Sequence, residues 1–224
     1  MARRRLYFWS AISVAVIGAV VAVVAVLDQP GASQSRNSPG PLVTSFLPGE
    51  YQNVPQACHV VPPDMLNQYM PGREAPAGFQ PLGGQASSQC SWTLDKPHTY
   101  RFLEVEVAAY SPSGLASGNG SATEAAKDAF TAASQQKSDP PKSSGQPKAT
   151  VTPLTGLGQQ AFAAQQRYSR GGVTNVVTVV ALQHNALVTV VFEGRSGGRY
   201  GSAAVSDLTN GAETAARDAI GKLG

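Results

Sequence analysis

Gly194-Arg195-Ser196-Gly197-Gly198 fits the G-x-S-x-G turn that exposes a serine nucleophile between a strand and a helix. In that hydrolase fold the activating histidine follows the serine in the chain. Here His59, His98 and His184 all precede Ser196, and more glycine at Gly201 delays the helix that such a turn would enter. A glycine-rich loop is the better reading, and no catalytic residue is assigned. Gly156-x-Gly158-x-x-Ala161 fits the loose dinucleotide pattern, yet 161–168 has the composition of a strand entering a hairpin more than of a helix. Ala181 and its neighbours are neutral about 20 positions on, where a ribose-binding acid belongs. A turn accounts for these glycines. The three histidines are scattered and make no metal cluster, so neither a metal nor another cofactor is expected. Glu104 and Glu106, about 7 Å apart on one side of a strand, read as its solvated face.

The remaining candidate is a group of arginines and tyrosines. Strand patterns at 160–168, 173–182 and 186–194 form a meander if each connection is a hairpin. The first turn and the exit of the third strand then lie at one end of the sheet. That end would gather Arg167, Tyr168 and Arg170 with Arg195, Arg199 and Tyr200. Four guanidiniums and two phenols beside flexible glycines suit an anionic group such as phosphate or carboxylate. The plainer alternative is that loops hold arginines paired with scattered carboxylates or water.

The elements that must position these residues are legible in part. A short helix is expected over 61–70, opened by Pro62-Pro63 and closed at Pro71-Gly72. Gln89–Leu94 reads as a strand, followed by a turn at Asp95-Lys96-Pro97-His98. From Arg101 to Tyr110, Leu103, Val105, Val107 and Ala109 alternate with polar residues, as in a half-buried strand. Ser121-x-x-Glu124 is a capping box for a helix through Gln136 with Ala125, Ala126, Ala129, Phe130 and Ala133 on its apolar side. The 138–148 stretch has no helix or strand signal. Val173–Leu182 is apolar on both sides, so it is expected to be central and doubly covered. His184-Asn185 is a hairpin turn. A last helix, from about Ala203 to Ile220, buries Val205, Leu208, Ala212, Ala215, Ala216 and Ile220, with Gly211 weakening it. The expected fold class is α+β: an antiparallel sheet packed with helices.

Residues 6–27 carry no charge and follow Arg3-Arg4-Arg5. About 20 apolar residues cross the ~30 Å hydrocarbon layer as a helix, and the arginines hold the N-terminus in the cytoplasm. A cleaved signal peptide has an apolar core of about 7–15 residues and a small-x-small exit, which Val26-Leu27-Asp28 does not provide. The expected organisation is a cytoplasmic head at 1–5, an uncleaved anchor at 6–27, a flexible stalk at 28–44 and an extracytoplasmic domain at 45–224. The stalk is rich in Gly, Ser, Pro, Gln and Asn, and could reach about 55 Å when extended. The chain is thus expected in the plasma membrane, single-pass.

The formal net charge is +3 from 17 basic and 14 acidic residues; setting aside Arg3, Arg4 and Arg5 leaves 14 basic residues against 14 acidic. The external part is neutral, unlike a nucleic-acid binder, and no nucleic-acid partner is expected. Cys58 and Cys90 are the only cysteines. Outside the membrane, where disulfides persist, they are expected to pair.

A cysteine before a short helix, Cys90-Ser91-Trp92 on a strand, Gly156-Leu157-Gly158-Gln159-Gln160-Ala161-Phe162, a β-hairpin and a terminal helix together resemble actinobacterial secreted or membrane-anchored domains of unknown function. The likeness spans roughly residues 50–224. Many such domains are lipoproteins, and this chain lacks their lipidated cysteine. The resemblance implies an extracytoplasmic, disulfide-bonded domain and supplies no catalytic residues.

The expected role is therefore a non-catalytic, membrane-tethered binding or accessory domain, with an anionic envelope component or a membrane-protein partner as its target. A carrier or sensor of a small apolar ligand is the alternative, favoured if Phe102, Phe130, Phe162 and Phe192 line one pocket. An envelope hydrolase is the weakest reading.

Overall fold

The computed structural model describes residues 45–79, 86–112, 120–169, 173–196 and 203–223. The expected head, anchor and stalk lie outside the described residues, and among the described helices none is long and apolar enough to cross a membrane. The elements run α1 (Ala57–Val60), α2 (Pro63–Tyr69), β1 (Ala77–Phe79), β2 (Ala86–Lys96), β3 (Thr99–Ala109), α3 (Ala122–Ser138), β4 (Thr150–Leu154), β5 (Gln160–Tyr168), β6 (Val173–Gln183), β7 (Ala186–Ser196) and α4 (Val205–Ile220). The fold class is α+β, with seven strands in one sheet ordered β1-β2-β3-β7-β6-β5-β4 and every neighbouring pair antiparallel.

Alternation along the strands divides the sheet into two faces. Trp92 and Leu94 of β2, Leu103, Val105 and Val107 of β3, Val188, Val190 and Phe192 of β7, and Val177 and Val179 of β6 point to the first face. They are buried in one core with α1, α2 and α4. The Cys58–Cys90 disulfide pins α1 to β2 across a sequence separation of 32. Phe162, Ala164, Val180, Leu182 and Leu187 point to the second face and pack with Ala126, Ala129, Phe130 and Ala133 of α3. The Ser121 capping box opens α3 as the sequence indicates: Ser121 Oγ accepts from the Glu124 N–H, and the Glu124 carboxylate accepts from the Ser121 N–H.

Three features differ from the sequence-based expectation. β6 is an interior strand between β7 and β5, but it is buried throughout only from Val177 to Leu182, and Val173–Val176 are partly exposed on both faces. β4 and β1 were not anticipated: Pro153 disguises β4, which can hold a proline because it is an edge strand, and β1 is only three residues long with Gly78 at its centre. Gly211 is a packing requirement rather than a weak point. A Cβ there would meet Cε1 of the fully buried Phe192 ring at 2.5 Å and Tyr69 Cδ1 at 3.1 Å.

Gly211→Ala should therefore destabilise the domain by about 1–2 kcal/mol in urea unfolding. Overpacking against a ring that cannot retreat outweighs the helix-propensity gain of about 1 kcal/mol. A variant as stable as the parent would contradict this packing.

One end of the sheet receives the start of the domain. In the two-residue turn between β6 and β7, His184 adopts a left-handed φ of 52° and packs edge-on against Tyr51, with ring centroids 5.9 Å apart. The fully buried Asn185 side chain accepts from Tyr51 N–H at 2.6 Å and donates to the carbonyls of Tyr51 and Tyr110, both at 2.8 Å. Glu50 accepts from the Leu47 N–H and from both the N–H and hydroxyl of Thr123 at the start of α3. Burial raises the Glu50 carboxyl's pKa, but these hydrogen bonds outweigh it and hold the group below its ordinary range.

Candidate functional site: the uncovered half of the sheet

α3 lies over the β4–β6 side of the second face and reaches Leu187 of β7. Among the described residues, no helix packs on the β2–β3 part of that face. There Gln89, Ser91 and Thr93 of β2, Phe102, Glu104 and Glu106 of β3, and Thr189 and Val191 of β7 are all partly exposed. The register places Ser91, Glu104 and Val191 in one row, and Gln89, Glu106 and Thr189 in the next.

At the end away from Tyr51, the rows become aromatic and charged. Tyr168, Thr174, Arg195 and Tyr100 stand side by side on β5, β6, β7 and β3. The Arg195 guanidinium carbon lies 4.0 Å from the Tyr100 ring centroid, and its Nε donates to Glu193 Oε1 at 3.2 Å. Both contacts restrain the guanidinium, one as a cation–π pair and the other as a charge-assisted hydrogen bond.

The six residues expected to gather for an anion are thus placed as follows. Tyr168 and Arg195 share a row of the second face, about 10 Å apart across Thr174. Arg167, one position before Tyr168, points to the other face and is exposed. Arg170, Arg199 and Tyr200 lie outside the described residues.

Several titratable groups are displaced from their ordinary behaviour on this second face. Burial raises the pKa of Glu104, opposed by a hydrogen bond from Gln89 and reinforced by the charge of Glu106. Burial alone raises Glu106. Glu193, 8% exposed, is raised by burial and partly relieved by Arg195. Burial and the charge of Glu193 push the Tyr168 phenol up. On the α3 side, burial lowers the Lys137 ammonium, which donates to Gln166 Oε1 at 3.3 Å. Clustering of displaced groups on an accessible surface is a recognised mark of functional surfaces, although structural networks produce it too.

Glu104 and Glu106 are where sequence reasoning fell short. Alternation puts them on a polar side, but both are partly buried between β2 and β7, and that placement needs the strand order. Their raised pKa values favour the folded state when protonated. This contribution is fully present below the unfolded value, 4.5, and is lost as pH rises through the folded value. Glu104→Gln with Glu106→Gln should raise the melting temperature by a few degrees near pH 7, and the gain should vanish near pH 4. A gain that persists in acid would contradict this electrostatic origin.

The other motifs fall into structural roles. Gly194, Arg195 and Ser196 are paired residues of β7, so the G-x-S-x-G pattern is not a strand-to-helix turn at its serine. Gly156 and Gly158 take left-handed φ values of 71° and 59° in the turn before β5, and a Cβ on Gly158 would meet the Leu182 carbonyl oxygen at 2.6 Å. Phe130 and Phe162 meet edge-on beneath α3. Phe192 meets Tyr69 on the opposite face, while Phe102 stands on the uncovered half. These four rings line no common pocket. A separate open cleft of about 540 Å³ lies beside the disulfide, lined by Cys58, His59, Val60, Val61, Pro62, Pro63, Asp218 and Lys222. No group of three or more metal-binding side chains occurs among the described residues. No protein-family model, curated protein or solved structure matches the chain.

Proposed function

We propose that this chain is a membrane-tethered, extracytoplasmic, non-catalytic docking domain that holds a partner protein against the uncovered half of its sheet. The asymmetry of the sheet carries this reading: among the described residues three helices close one face, whereas α3 closes only part of the other. The tether rests on the arginine-flanked apolar run at 6–27 and the stalk at 28–44. The disulfide and the resemblance to actinobacterial extracytoplasmic domains agree with an external location. A protein partner is favoured over an anionic envelope component by the charges on the surface. Glu104 and Glu106 are partly exposed on it, and Arg195 already engages the buried Glu193 and the Tyr100 ring.

The test is the size of the full chain in mild-detergent extracts of its own membranes. A docked partner keeps it in an assembly larger than the free chain. Thr93→Arg with Thr189→Arg on the uncovered face should release it, while Ser206→Arg with Asn210→Arg on the exposed side of α4 should not. A chain that runs at its free size in every extract overturns the reading.

A further inference from the structure

Resting on that docking role, we infer that the half of the second face on which no described helix packs accepts one amphipathic helix from a partner protein, carrying lysines or arginines set against Glu104 and Glu106. The dimensions suit one helix. Seven strands at about 4.8 Å spacing make a sheet roughly 29 Å wide, whereas a helix with its side chains is about 10–12 Å across. α3 fills one such width over β4–β6 and the Leu187 end of β7, and the β2 and β3 surfaces with the Thr189–Arg195 stretch of β7 provide a second beside it. From the Tyr100–Arg195 row to the Glu106–Thr189 row is about 20 Å along the strands, the length of a helix of about 14 residues. A helix is the suitable occupant of a sheet face because its main-chain groups are satisfied internally and need nothing from strands already paired on both sides.

Charge fixes the kind of helix. No salt bridge to Glu104 or Glu106 is made among the described residues, and Glu104 is hydrogen-bonded to Gln89. An apolar or acidic helix laid across them would strip water from two carboxylates and return no cation. Basic residues four apart on a helix are separated by about 6 Å along its axis, which approximates the ~7 Å spacing of residues 104 and 106 on one strand face. Phe102 and Val191, partly exposed in neighbouring rows, supply apolar contact for the rest of the helix surface.

The experiment titrates the full chain, in neutral-lipid nanodiscs, into a fluorescent Leu/Lys amphipathic helical peptide of about 14 residues, with a Leu/Glu peptide of the same pattern as control. The lysine peptide should bind and the glutamate peptide should not. Glu104→Gln with Glu106→Gln should weaken binding by at least about tenfold, while Glu213→Gln on α4 leaves it unchanged. Because the paired glutamine variant is expected to be the more stable protein near pH 7, unfolding does not mimic the loss. Failure of the lysine peptide to bind, or binding indifferent to the two glutamines, overturns the inference. If the native assembly in membrane extracts still depends on Thr93 and Thr189 in that case, the docking role survives and only the basic-helix occupant fails.

Discussion

Replacing Cys58 and Cys90 together by alanine is expected to destabilise the domain by about 3.7 kcal/mol. That figure follows from the loop-closure entropy returned to the unfolded chain when a crosslink over a separation of 32 is removed. The native state loses an attachment as well: α1 is only four residues long, and Cys58 is its covalent link to β2. A four-residue helix has too few internal hydrogen bonds to persist without tertiary support. For a domain of this size the melting temperature should fall by about 7–15 °C, and a reducing agent should reproduce the fall in the parent protein. Calorimetry with and without reductant checks both. An unchanged transition in both arms would mean that the bridge does not constrain the domain.

Asn185→Ala carries the second large expected loss, about 2–4 kcal/mol. One fully buried side chain accepts from Tyr51 N–H and donates to two carbonyls, so truncation removes three hydrogen bonds from part-buried main-chain groups at once. Asn185→Asp separates amide-specific recognition from simple packing. The carboxylate keeps an acceptor for Tyr51 N–H, yet it faces the Tyr51 and Tyr110 carbonyls with no proton to give. It should therefore be at least as damaging as alanine. Both variants should also open the 45–56 segment to protease before global unfolding, because Asn185 holds that segment to the β6–β7 turn. Urea unfolding combined with mapped proteolysis reads both effects. An aspartate variant as stable as the parent would contradict the hydrogen-bond assignment.

Much of the fold was legible because its signals were local. Ser121 and Glu124 announce α3, the alternation of Leu103, Val105 and Val107 announces β3, and His184-Asn185 marks the turn that joins β6 to β7. The missing parts depend on distant neighbours. β3 pairs with β7 across some eighty intervening residues, and only this pairing sets Glu104 and Glu106 beside Val191 and Thr189. Gly211 reads as a helix defect until Phe192 is known to press against it. Within the candidate anion cluster, strand alternation already separates Arg167 from Tyr168, whereas the union of Tyr168 with Arg195 needs the register through Thr174. The half-coverage of the second face has no sequence signature, since it depends on which strands α3 crosses.

Charge on that face gives the docking proposal its direction. Carboxylates that are costly to desolvate favour a partner supplying cations, and their replacement by glutamine should trade binding for stability. Such opposite effects on two readouts are difficult to obtain from a residue that merely supports the fold.

The most direct measurement is site-specific photo-crosslinking of the full chain in its source cells, with the photoreactive residue placed in turn at Thr93, Phe102 and Thr189 and at Ser206 and Asn210. The docking account expects one discrete adduct from all three positions on the uncovered face and none from the two on α4. Adducts confined to α4, or absent from every position, would contradict it.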